Sequence, residues 1–276
     1  MSSTPANWYP DPVGRHQLRY WDGARWTEHV STDGQAGLDH LHGAAPVTVN
    51  VSAENIQTQV QAAGLHTTGD VGSPTGGGTV FTEPILVVNQ KVKLIEITNE
   101  YAVFDQHGRQ IASVAQVGQS TVRKVLRVLS SLDQFLTHRL EVRDEHGEAQ
   151  LVLTRPAKVF KSTVVVEDRA GQEIGRIVQR NMIGKIHFSL EAGGQVVGAI
   201  KAENWRAWNF RIEDAAGAEV ARITKTWEGL AKTLFTTADN YVVQIHGQLS
   251  HPLLSLVVAS ALSIDTALKQ DDRGLG

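Results

Sequence analysis

From Val80 onward, apolar and polar residues alternate with a period of two, the signature of strands with one buried face. The alternation runs through Val164/Val166, Phe188/Leu190 and Phe210/Ile212 into short turns of one kind: "DQHG" (Asp105–Gly108), "DEHG" (Asp144–Gly147), "DRAG" (Asp168–Gly171), "EAGG" (Glu191–Gly194) and "DAAG" (Asp214–Gly217). Asp at the first position and Gly at the fourth suit a type I turn closed by a left-handed residue, so the pattern predicts β-hairpins. The last three turns recur every 23 residues, which marks a repeated unit. The return strands agree in detail: an apolar residue (Ile111, Ile174, Val197, Val220), then a small one (Ala112, Gly175, Gly198, Ala221), then apolar again at Val114, Ile177, Ile200 and Ile223. The hairpin around Gln150 and Leu151 departs from this. A small residue at one fixed place predicts that another element approaches the strands closely.

The pattern changes at "HPLLSLVVASALSIDTALKQ", where Leu253 to Leu268 is apolar nearly all round. This predicts a helix over 252–268, with Pro252 in the first turn and Ser250 or His251 near the cap. A helix apolar on every side is buried in protein or in lipid. Sixteen residues rise about 24 Å, short of the roughly 30 Å hydrocarbon core, and three Ser, a Thr and Asp265 interrupt the run. A core helix is therefore the expectation, and a transmembrane span the alternative. The predicted architecture is mainly β: a closed, hairpin-built barrel over 81–270 around one central hydrophobic helix, closure removing free sheet edges.

Residues 7–30, "NWYPDPVGRHQLRYWDGARWTEHV", hold three of the six Trp: Trp8, Trp21 and Trp26. So short a segment has too little surface to bury for an ordinary core, and aromatic rings compensate by area. Asp22-Gly23 between "LRYW" and "RWTEHV" is a hairpin signal. The expectation is a small β module, 1–35, of two or three short strands, with Trp8, Tyr20, Trp21 and Trp26 making most of the packing. Whichever of Trp8, Tyr9 and Trp26 stays exposed is its candidate contact surface, for a protein or a Pro-rich peptide. Residues 36–80 read as a flexible linker, with a helical turn or two at "SAENIQTQVQAAG" capped by Ser52. Asp39-His40-Leu41-His42 is only a weak metal signal.

The N-terminal motif "WYPDP…G…RYWDG…WT" resembles a short actinobacterial domain of unknown function, which implies an actinobacterial source and no activity. The hairpins, then "GAEVARITKTWEGLAKTLFTTADNYVVQI" (Gly217–Ile245), then a terminal apolar helix, are similar to the phospholipid scramblase and LURP-one-related proteins of the tubby C-terminal-like superfamily. That resemblance implies a twelve-stranded barrel enclosing a hydrophobic helix, association with membranes and, for some members, calcium-dependent phospholipid scrambling. It also points to Asp239 and Asn240 as a weak calcium candidate. Gln248 and Ser250 stand where acidic ligands are expected, and calcium wants several carboxylate oxygens.

Charge and composition narrow the function. A net charge of −3 gives no reason to expect nucleic acid. The absence of Cys removes disulfides, thiol chemistry and acylation through Cys, and the start carries no readable signal peptide. No nucleophile motif, phosphate loop or metal-binding motif is present, so the chain reads as no enzyme and no cofactor is expected, calcium apart. Arg155, Lys158, Lys161, Arg169, Arg176, Arg180 and Lys185 face only Glu167, Asp168 and Glu173, a local +4. A solvated exterior and an anionic-headgroup site both fit; for the site the candidates are Arg155, Lys158, Lys161, Arg176, Arg180 and Lys185. Trp205 and Trp208, three apart, cannot both face inward on a regular strand, which makes one a candidate membrane-interface anchor. The leading expectation is a non-enzymatic, scramblase-related protein, cytoplasmic and peripheral to the inner face of the plasma membrane, that binds anionic lipid or assists scrambling. A protein-interaction scaffold is the alternative. An apolar ligand inside the barrel is a third, which a helix-filled interior opposes.

Overall fold

A computed structural model of the chain describes residues 5–11, 16–23, 26–39, 51–65, 76–90, 100–117, 138–156, 162–181, 187–204, 209–226 and 240–268, with side chains of the last helix described to Ser263. Twelve antiparallel strands close into one barrel. They are β5 (Ile85–Gln90), β6 (Glu100–Phe104), β7 (Gln110–Val117), β8 (His138–Asp144), β9 (Ala149–Arg155), β10 (Thr163–Glu167), β11 (Glu173–Gln179), β12 (His187–Ala192), β13 (Gln195–Asn204), β14 (Asn209–Asp214), β15 (Glu219–Thr226) and β16 (Asn240–Ile245). Each pairs with the next in sequence, and β16 pairs with β5 to complete the ring.

Four hairpin turns share one chemistry. In each, the leading Asp carboxylate accepts from the backbone N–H groups two and four residues on; Asp168 Oδ1, for example, takes Ala170 N at 2.8 Å and Gln172 N at 2.9 Å. Asp105, Asp144 and Asp214 do the same. The Gly closes the turn at positive φ, +78° at Gly171, and the ladder shifts register between Val166 and Glu167. The fifth turn differs from the sequence expectation. Ala192 pairs directly with Gln195, so Gly193 and Gly194 form a two-residue turn, both at positive φ, with no Asp needed.

The helix α2 (Leu253–Leu268) runs through the interior. Leu256, Val257, Val258 and Ala259 are fully buried, among Val103, Val114, Val142, Leu190, Ile212, Ile223 and Val243 from around the wall. Two neighbours crowd the small-residue position. A Cβ on Gly175 would lie 2.3 Å from the Glu191 carbonyl oxygen of the adjacent strand and 3.2 Å from Leu256 Cδ1, and one on Gly198 would lie 2.6 Å from the Glu213 carbonyl oxygen and 3.1 Å from Leu253 Cδ1. The neighbouring strand's backbone excludes the side chain first, and the helix second. Two of its serines bond back to the helix: Ser260 Oγ donates to the Leu256 carbonyl at 2.6 Å and Ser263 Oγ to that of Ala259 at 2.7 Å.

The N-terminal residues form a separate sheet, β1 (Asn7–Pro10), β2 (Leu18–Trp21), β3 (Trp26–Thr32) and β4 (Gln35–Leu38), in that order. It runs past residue 35, because Asp33-Gly34 is a second two-residue turn and adds β4. Its buried centre is not aromatic. Trp8 is 36% exposed, and Tyr9, Tyr20, Trp21 and Trp26 are half-buried, touching one another edge-on. A single four-stranded sheet offers no second layer to cover the rings. The side chains of Arg19 and Asp11 are fully buried, and Val30 is buried beside them in the sheet. Arg19 Nε donates to Asp11 Oδ1 at 2.8 Å, Nη1 to the carbonyls of Thr27 (3.1 Å) and Asp39 (2.6 Å), and Nη2 to the Asp39 carboxylate. Asp39 is thus a structural ion-pair partner; His40 and His42 lie outside the described residues.

Between sheet and barrel lies α1 (Ala53–Ala62), a longer helix than the sequence suggested, with Ser52 Oγ accepting from Asn55 N at 3.2 Å. Its Ile56 and Val60 are buried against Val87, Ala102, Phe104 and Val242 on the outside of the barrel.

Candidate membrane-docking surface

Antiparallel order sorts the barrel's connections onto two rims. The tight Asp-x-x-Gly turns lie at one. At the other, β9 ends at Arg155 and β10 begins at Thr163, β11 ends at Gln179 and β12 begins at His187, β13 ends at Asn204 and β14 begins at Asn209. Because neighbours in the sheet are neighbours in sequence, these three exits are adjacent along one rim. The candidate Lys158, Lys161, Lys185, Trp205 and Trp208 fall between those strand ends and lie outside the described residues.

The described cations behave differently from free headgroup ligands. Arg155 is 5% exposed and shares the inward parity of Leu151 and Leu153, so it lies at the rim end of the interior. Gln179 and Ser162 are buried there too, Ser162 N donating to Gln179 Oε1 at 3.1 Å. Arg176, on the outer wall, clamps Glu173 with Nε–Oε1 at 2.8 Å and Nη2–Oε2 at 2.9 Å. Hydrogen bonds from Arg176 hold the Glu173 carboxyl below its ordinary pKa, and Glu173 raises the guanidinium in return. Arg180 donates to Ser189 Oγ at 2.7 Å and to the Glu191 carboxylate. Further round, Glu213 takes both Lys201 and, at 2.9 Å, Arg211. The wall is a mixed-sign ladder. Three of the four units of positive excess in residues 155–185 belong to the Lys between the strand ends.

Of the weak calcium pair, Asp239 lies outside the described residues, and Asn240 is 6% exposed, in register between Thr226 and Asn89 at the start of β16. Among the described residues no group of three or more His, Asp or Glu side chains is arranged to hold a metal ion. His251 Nδ1 and Ser255 Oγ lie 2.6 Å apart, with Ser255 fully buried at the start of α2. Among the described residues no helix is long and apolar enough to cross a membrane.

Residues 68–268 match the scramblase family model. The chain belongs to the scramblase family. Its N-terminal residues 6–38 match a second model, a protein of unknown function (DUF2510), over the same span as the four-stranded sheet. Two curated relatives are distant. The altered inheritance rate of mitochondria protein 25 of Saccharomyces cerevisiae is 22% identical over 68% of this chain and 71% of its own length. A phospholipid scramblase family protein of Schizosaccharomyces pombe is 21% identical over 67% of this chain and 52% of its own. A solved protein of Arabidopsis thaliana covers 68% of this chain and 99% of its own at 11% identity, with a TM-score of 0.40.

Proposed function

We propose that this scramblase-family chain is a non-enzymatic, membrane-peripheral protein whose barrel docks on anionic phospholipid by the rim where β9, β11 and β13 end. One observation carries this reading. The sequential strand order makes those three exits adjacent, and the intervening sequence holds three Lys, two Trp, Arg180 and Arg206 but no acidic residue. Basic residues near an anionic surface contribute about 1 kcal/mol each, and Trp favours the headgroup level. The salt-bridged outer wall, with Arg176 and Arg180 held by glutamates, is a poorer lipid surface.

Sedimentation of the full chain with anionic or neutral vesicles tests it, with and without calcium to read any contribution from Asp239 and Asn240. Anionic vesicles are expected to retain the protein. Changing Lys158, Lys161 and Lys185 to Glu is expected to weaken retention by roughly 100-fold or more. Equal, negligible binding to both vesicle types overturns the reading. It would leave the scaffold alternative, which the half-exposed rings of the N-terminal sheet favour as a surface for a protein or Pro-rich segment.

A further inference from the structure

The outer wall of β16, β5 and β6 is apolar where an uncovered barrel would be polar. Val87, Ala102, Phe104 and Val242 point away from the interior and are still buried, because α1 lies over them. The seat is a poor one. Only Ile56 and Val60, at i and i+4, are fully buried on the helix; Ala63 and Leu65 are partly covered. The third residue on the buried face, Gln59, is 4% exposed, and neither its Oε1 nor its Nε2 has a hydrogen-bond partner. On β5, Asn89 is 2% exposed, with Oδ1 and Nδ2 likewise unpaired. Buried amides without partners oppose docking, while the wall strands keep their own ladder whether or not the helix is there. A ten-residue helix has little stability off its seat, so leaving the wall means melting.

We propose that α1 is a releasable clasp, which leaves and re-seats on the barrel's outer wall while the barrel stays closed, and so sets how far the N-terminal sheet can reach. Among the described residues, the next buried contact with the barrel after Asp39 is α1 when it is seated, and Val80, 2% exposed in the barrel core, when it is released. Chains of those lengths, Asp39 to Ala53 and Asp39 to Val80, can span at most about 50 Å and about 140 Å. Release also uncovers the apolar Val87, Ala102, Phe104 and Val242, while α2 keeps the interior filled. The proposal does not rest on membrane docking, and its test contains no lipid.

Hydrogen exchange on the full chain decides it. Amides of 53–62 are expected to exchange at least about 10-fold faster than those of β5 and β6, through openings that leave the barrel protected. Replacing both amides, Gln59→Leu with Asn89→Leu, is expected to slow α1 exchange by 10-fold or more. Ile56→Asp is expected to abolish α1 protection, and to open Glu54 to cleavage by a glutamate-specific protease, without moving the barrel's melting temperature. Exchange of α1 in step with β5 and β6 in the unmodified protein, or collapse of the barrel in Ile56→Asp, overturns the proposal.

Discussion

The barrel and the N-terminal sheet solve the same problem with opposite chemistry. The barrel encloses α2, and its core is apolar from wall to centre, mostly aliphatic with Tyr101, Phe188, Phe210 and Tyr241 among the buried wall residues. The small sheet buries Arg19 completely, tied to two carboxylates and two carbonyls, and leaves its rings half in water. The difference follows from geometry. A closed sheet has an inside that an apolar helix can fill, and non-directional burial then suffices. A single open sheet has no inside, and a guanidinium with five fixed donors joins the segment after β1, strand β3 and the segment after β4. Stability is spread over many interchangeable contacts in one region and concentrated in one network in the other.

The sharpest way to break the comparison is a charge at the barrel's centre. Leu256→Asp places a carboxylate at a fully buried position, at a cost of several kcal/mol against a typical total of 5–15. The barrel's thermal transition is expected to be lost while the N-terminal sheet stays folded. A barrel that melts unchanged would show that α2 is not its core. The next effect belongs to the sheet. Arg19→Met strands Asp11 and Asp39, and removing one partner of a buried pair costs about 3–5 kcal/mol, enough to unfold so small a unit. Chemical-shift dispersion of residues 7–39 is expected to collapse with no change in the barrel's melting temperature. Retained dispersion would return the sheet's stability to its rings. The smallest effect is a pH dependence confined to the sheet. Burial lowers the His16 pKa below 6.5, against the opposing pull of Asp39 and Asp11. The unfolded chain then binds protons more readily, so His16's contribution is complete above about pH 6.5 and shrinks as pH falls toward its folded value. Comparing the sheet's unfolding at pH 7.5 and 5.5 in the wild type and in His16→Gln checks this. The acid loss is expected to be smaller in the variant.

Local chemistry made much of the barrel legible in the sequence. An Asp that accepts from two downstream amides and a Gly at positive φ leave their mark within four residues, and α2 shows in its length and its lack of a polar face. The strand β4 was readable too, from Asp33-Gly34. Arg19 was not, because its partners Asp11 and Asp39 stand at separations that no periodicity links to it. Arg155 carried a signal in its parity with Leu151 and Leu153, which marks it as inward despite its charge. The seat of α1 was signalled by "ILVV" and "YVV", runs apolar on both faces, as strands covered on both sides must be. Where the rim's Lys and Trp meet depends on the closed strand order, which single-strand patterns do not contain.

That closed order has a consequence for how the chain is made. Every barrel ladder joins consecutive strands except one, in which Ile85 must wait for Gln244. The interior lining of β5–β16 therefore emerges from the ribosome long before the helix that will cover it, and the ring cannot shut usefully until α2 follows β16. A barrel without Leu253–Leu268 has every inward Val, Ile and Leu of its wall and nothing at its centre to pack them on. The wall's apolar lining and the helix that covers it are thus one cooperative unit, completed only after β16 has been made.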